Sequence, residues 1–238
     1  MSNESLPKKL LVEGEHDRLF AEACCELIAL KEAVLGERCS LKDVVQIGPA
    51  GKMSEEKKGN GKGNAIKLLP NLIEQLYDGR VTRLGLVIDA DYMQTDGLGF
   101  GQTWEMIAII LSENGYVVPV RPTVPNSGFS FEHQEGGIPD FGLWIMPNNF
   151  DDGMLEDFIK ATVVADDCSL LRHAEDTIAA LPNPKFGPHR KSKAEVATWM
   201  AWQKAPGQGL HGAVGGRLLD FQAGLAKMYL DWLKRIFL

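Results

Sequence analysis

Unbroken apolar runs alternate along this chain with segments whose apolar residues recur every three or four positions. Residues 8 to 13, KKLLVE, carry an unbroken apolar run between two lysines and a closing carboxylate, the pattern of a strand buried on both faces as in a parallel sheet. From Asp17 to Leu35 the apolar residues Leu19, Phe20, Ala23, Leu27, Leu30 and Val34 fall at helical spacing, and Gly36 supplies a stop. A short strand at 44 to 48 (VVQIG), a Gly- and Lys-rich loop at 48 to 64 and a helix over 65 to 78 follow. RLGLVID is a second buried strand, ending at Asp89; a helix over 102 to 114 closes on Asn114-Gly115. YVVPV at 116 to 120 and FGLWIM at 141 to 146 complete the predicted strands. Strands separated by helices imply right-handed crossovers, hence an α/β fold.

Beyond that point the pattern is helical: 154 to 164, 169 to 181, 192 to 204 and 215 to 238, broken by LPNPKFGP and KAPGQG. The expected organisation is an α/β core over residues 1–165 with a helical extension over 166–238 packed on it. At 238 residues, 45% hydrophobic and 24% charged, the chain can bury such a core. MIAIIL and YVVPV, the longest apolar runs, fall short of the roughly 20 residues that span a bilayer. The start, MSNESLPKK, lacks the apolar centre of a secretory signal, so a cytoplasmic protein without membrane attachment is expected. Cys24, Cys25, Cys39 and Cys168 show no C-x-x-C spacing and read as thiols rather than disulfides or zinc ligands.

Candidate chemistry concentrates where strands end. Ligands of open α/β sheets gather outside the carboxyl ends of the strands. Glu13 closes the first strand within EGEHD, Asp89 and Asp91 close LGLVIDAD, and Glu156 and Asp157 follow the last strand in MPNNFDDGMLEDF. A spacing of two puts Asp89 and Asp91 on one side if the extended conformation persists. Each group has a plain structural reading as a turn, cap or first-turn acid. Crowding is costly, because like charges about 4 Å apart repel by roughly 4 kcal/mol at an effective dielectric near 20. Converging carboxylates make sense if cations sit among them. The formal net charge of −7 argues against bulk attraction of nucleic acid, but it omits any bound cation.

LLVEGEHD together with LVIDAD resembles the Toprim domain, the α/β module shared by topoisomerases, primases and a class of nucleases. LEDF resembles the further acid of the overcoming-lysogenisation-defect branch, in which Toprim acts as a metal-dependent nuclease. The whole chain is similar to an uncharacterised bacterial family with such a core. The resemblance implies a Toprim-like, Rossmannoid, mostly parallel sheet flanked by helices. It makes Glu13 a metal ligand or general acid/base, Asp17 a supporting ligand, Asp89 and Asp91 the principal ligands and Glu156 a further one, for Mg²⁺ or Mn²⁺. Hard oxygen donors suit these ions, and two of them about 3.5–4 Å apart serve phosphodiester hydrolysis. Related nucleases place a lysine after the last acid, which here points to Lys193 or Lys191 in KFGPHRKSK, with His189 and Arg190 beside them for nucleic acid.

The loop GPAGKMSEEKKGNGKGN offers Lys52, Lys57, Lys58 and Lys62 to a nucleic-acid backbone. It is no P-loop, since Gly63 follows Lys62 and Glu56 stands five before Gly61. An ATPase, which the related nucleases carry, would have to be a separate partner. Tyr77, Tyr92, Tyr116 and Tyr229 each have a packing or surface reading, so water is the better nucleophile. The expectation is a metal-dependent nuclease acting on DNA or RNA. A catalytically idle Toprim module that binds nucleic acid or a partner, and a phosphohydrolase of a small metabolite, stand as alternatives.

Overall fold

The computed structural model describes residues 7–30, 39–54, 59–95 and 97–238. Its centre is a five-stranded sheet: β1 (Lys8–Val12), β2 (Val45–Pro49), β3 (Arg83–Asp89), β4 (Phe129–Phe131) and β5 (Phe141–Met146), in the order β2-β1-β3-β5-β4. All neighbours are parallel except β4, which runs antiparallel to β5. The chain leaves β1 toward β2 on one side and returns as β3 on the other. The cleft between β1 and β3 is therefore the topological switch point, where open α/β sheets bind ligands.

Alternation along the strands sends side chains to two cores. Leu10, Val12, Val45, Ile47, Val87, Trp144 and Met146 face one side, covered by α1 (Glu15–Glu26), α5 (Leu155–Thr162), α7 (Lys191–Ala201) and α9 (Gly224–Phe237). Leu11, Leu86, Ile88, Leu143 and Ile145 face the other, covered by α3 (Lys62–Tyr77) and α4 (Gly99–Glu113). Gly85 and Gly142 are paired across β3 and β5 on the first side. A Cβ on Gly142 would lie 2.7 Å from Ile236, and one on Gly85 3.1 Å from Phe237, so the two glycines form the notch that seats α9. The remaining helices are α2 (Ala50–Met53), α6 (Cys168–Ala179) and α8 (His211–Gly215).

Several expected elements change. The first helix ends at Glu26, where Leu27 and Ile28 bond back to Cys24 and Cys25 in a tightened last turn, and Ala29 then bridges Ser40. Val34 and Gly36 lie outside the described residues. YVVPV is not a strand: Tyr116 makes only an isolated bridge to His133, Pro119 has no N–H to donate, and Val120 is 92% exposed. The place beside β5 goes to Phe129–Phe131 instead. The expected helix over 215 to 238 begins only at Gly224, as α9; α8 ends at Gly215, and Arg217 at φ +57° lies in the stretch between. All four cysteines are free, and Cys24 and Cys25 are buried on α1 itself. Among the described residues no helix is long and apolar enough to cross a membrane.

Candidate active site at the switch point

β1 and β3 end side by side, and the alternation that built the cores sorts their acids. Register places Leu11 beside Leu86, so Glu13 continues that row toward α3 and α4, while Asp89 continues the Val87 row toward α1 and α5. A backbone bond joins the rows: the Asp89 N–H donates to Glu13 Oε1 at 2.9 Å. Asp89 in turn accepts the Leu155 N–H at 3.0 Å, which orients the start of α5 and brings Glu156 in. Asp17 stands in the first turn of α1. Asp17, Asp89, Glu156 and Lys193 line one cleft of about 630 Å³. Four separate stretches of chain supply them.

The carboxylates load one another. Burial, and after it the charges of Glu13, Asp17 and Glu156, raise Asp89 well above the ordinary carboxylate range. Glu13 is pushed up by burial to about 7, against the pull of Lys62. Burial likewise raises Asp17 and Glu156, and Lys193 acts against it on both. At the rim the effect reverses: hydrogen bonds from Arg18 and Lys52 hold Glu15 down to about 2.

Asp91 departs from the expected alignment with Asp89. It has φ +62°, and its backbone pairs with Gly153 through bonds of 2.8 and 3.0 Å, so the extended run ends before it. Its carboxylate meets Lys62 at 2.8 Å. Lys62 is no surface residue of the Gly/Lys loop. It opens α3, is 12% exposed at its side chain, and donates a second bond to the Ala90 carbonyl at 3.0 Å. Lys52 sits on α2, paired with Glu15 at 2.9 Å. Lys57 and Lys58 lie outside the described residues.

The lysines near α7 separate. Lys193 faces the cleft, whereas Lys191 lies 3.6 Å from Glu195 and does not line it. His189 and Arg190 are exposed on a 3-10 turn before α7, away from the cleft lining. Trp199 is fully buried, and Trp202 packs near His173 on the surface. Two features escape a reading of spacing. Asp157 binds Ser192 at 2.6 Å, the Tyr92 hydroxyl and the Met154 N–H, thereby tying the chain after β3 to the starts of α5 and α7. Ser192 is the neighbour of Lys193, so this knot positions the lysine. Residues 207–210, which break the helical pattern, return as a wall of the cleft opposite Asp17, beside Met200 and Ala197. Their glycines signal a turn, but nothing in their spacing signals what the turn faces.

The donor chemistry suits a hard divalent cation, since Asp17, Asp89 and Glu156 are oxygen ligands whose mutual repulsion such an ion would relieve. Their positions are not closed around a point: among the described residues no group of three or more His, Cys, Asp or Glu side chains is gathered to hold a metal ion.

The family model described as Protein of unknown function (DUF3226) matches residues 7–238. No curated protein and no solved structure matches the chain. The chain belongs to the DUF3226 family.

Proposed function

For this member of the DUF3226 family we propose a divalent-metal-dependent phosphodiesterase activity, that of a nuclease on DNA or RNA, carried by a Toprim-like core. One observation carries the reading: Asp17, Asp89, Glu156 and Lys193 come from four segments to one cleft at the switch point of the sheet. Mg²⁺ or Mn²⁺ held by Asp17, Asp89 and Glu156 would supply charge stabilisation to a phosphodiester and activation of water. Lys193 stands where its ammonium meets a phosphate oxygen. Glu13, pushed up to about 7 by burial, is a carboxyl that can hold a proton at neutral pH, but it accepts the Asp89 N–H and does not itself line the cleft.

A small phosphate ester is the second reading. It is favoured by the volume of about 630 Å³, which falls in the small-molecule range of about 300–1,000 Å³, and by the net charge of −7. Purified protein and Asp89→Ala, incubated with labelled DNA, labelled RNA and a panel of phosphate esters in Mn²⁺, separate the two. Polynucleotide cleavage that needs Mn²⁺ and falls about 100-fold or more in the variant supports the nuclease, since the ion's contribution is several kcal/mol. Turnover of esters alone moves the assignment to them. Mn²⁺ at a hundredfold excess over Kd would also stabilise the fold by about 2.7 kcal/mol. If the melting temperature rises without turnover, the protein is a binding module. No response to metal of either kind would overturn the proposal.

A further inference from the structure

The geometry points to a ring-bearing organophosphate as the ligand of this cleft: a flat apolar body, aryl or nucleobase, laid along α7 with its phosphate at Lys193. The inference rests on the phosphoester reading above and names the substrate class within it. Lys193, Ala197 and Ala201 are spaced by four on α7, and all three line the cleft together with Met200. At 1.5 Å per residue the row from Lys193 to Ala201 is about 12 Å long. It begins with a charge and continues with methyl groups. The Ser192–Asp157 bond of 2.6 Å sets the Lys193 end of α7 against the first turn of α5, which carries Glu156. Ala201 stands two turns further along the axis, so the charged and apolar parts of the cleft are separate ends.

The wall beyond α7 adds no charge. Gly207, at φ +85°, turns the chain, and residues 207–210 line the cleft with Leu210 as their apolar side chain. Gln208 carries the one polar side chain of that stretch, and it leans on α8: a Cβ on Gly212 would lie 2.6 Å from its Oε1. Ala197 and Ala201 are exposed, whereas Met200 belongs to the core. A polynucleotide backbone needs cations along its path. Past Lys193 this wall offers none, since Lys191 is held toward Glu195 and neither His189 nor Arg190 lines the cleft. What the strip rewards is the removal of apolar ligand surface from water. Two alanines one turn apart leave a shallow, even face, which a planar ring covers better than a branched chain. A volume of about 630 Å³ holds one such molecule, or the terminal nucleotide of a longer one.

Phenylphosphonate and methylphosphonate share a head group that hydrolysis cannot release, and they differ in the ring. In calorimetric titration of the full chain with Mn²⁺ present, phenylphosphonate should bind about 10-fold or more tightly than methylphosphonate, from the apolar area that the ring buries. Ala201→Trp fills the far end of the strip at an exposed position and should bring the two affinities within about twofold of each other. Circular dichroism checks that it folds; if it does not, Ala197→Phe makes the same test one turn nearer Lys193. Equal affinities in the wild type, or a preference kept by the folded variant, would overturn the inference while leaving the phosphoester reading standing. Loss of both ligands in the folded variant would put the phosphate where the ring is proposed and overturn it as well. Binding of neither ligand by the wild type would take the phosphoester reading down with it.

Discussion

Glu13 and Asp91 on the α3 side of the strand ends, and Asp17, Asp89 and Glu156 on the α1 and α5 side, are five carboxylates gathered at one end of the sheet yet treated in opposite ways. Asp91 is met by a lysine of the protein's own, half-buried and bonded twice, whose charge also acts on Glu13. The second group faces an open cleft, with Lys193 exposed at its edge and acting on Asp17 and Glu156 only through space. Charge that is neutralised inside the fold contributes to structure; charge left facing a cleft is available for a ligand. For Glu13 and Asp89 the difference follows from strand parity, because one residue's step along a strand reverses the face; for Asp91 it follows from the turn at φ +62° that ends the extended run.

The largest expected effect concerns pH. Glu13 binds its proton more tightly folded than unfolded, so its contribution to the stability of the metal-free protein is complete below the ordinary carboxylate value of 4.5 and is lost as pH rises to and through about 7. The loss from Glu13 alone is on the order of 3 kcal/mol, from about 1.4 kcal/mol per unit. Asp89, Asp17 and Glu156 act in the same direction. Glu15, lowered to about 2, acts oppositely, but only in the acid range below 4.5. Chemical denaturation across this range should show the fall for the wild type and a shallower one for Glu13→Gln; equal slopes would remove Glu13 from the account.

Exchanging the lysines sharpens the contrast next. Lys62→Ala leaves Asp91 and the Ala90 carbonyl without their partner and should cost about 1–3 kcal/mol of unfolding free energy. Lys193→Ala should leave the unfolding curve nearly unchanged but lower kcat by about 100-fold in whichever phosphate assay shows turnover. Matching losses of stability in both would erase the distinction between internal and cleft-facing cations. Ser192→Ala removes one bond to Asp157 and should cost about 1 kcal/mol, with a fall in kcat as the knot that positions Lys193 loosens. A variant with unchanged kcat would limit Ser192 to packing. Smallest of all, Lys191→Ala removes the exposed partner of buried Glu195, which keeps Lys160 at 2.5 Å, and should shift stability by less than about 0.5 kcal/mol and leave turnover intact.

Much of this was readable from spacing. The apolar runs of β1, β3 and β5 admit little but buried parallel strands, and the periods of α3, α4, α5, α6 and α7 appear within a few residues of their expected bounds. The acids at strand ends were visible for the same reason, since a buried run can end only where polarity begins. YVVPV misled because a short apolar run reports β propensity and not whether a neighbouring strand is free to pair with it. Phe129–Phe131 is too brief to announce itself, and only its pairing with β5 makes it a strand.

Local pattern thus suffices for element type and for which residues are acidic at the sheet's edge, because periodicity and charge are properties of neighbours in the chain. Which cation each acid meets lay beyond it. Lys62 and Asp91 are separated by 28 intervening residues, and their meeting depends on the turn at Asp91 and the glycine before α3. The cleft wall at 207–210 and the Asp157 knot are likewise contacts between distant segments, set by how helices pack on a sheet that no single stretch of sequence encodes.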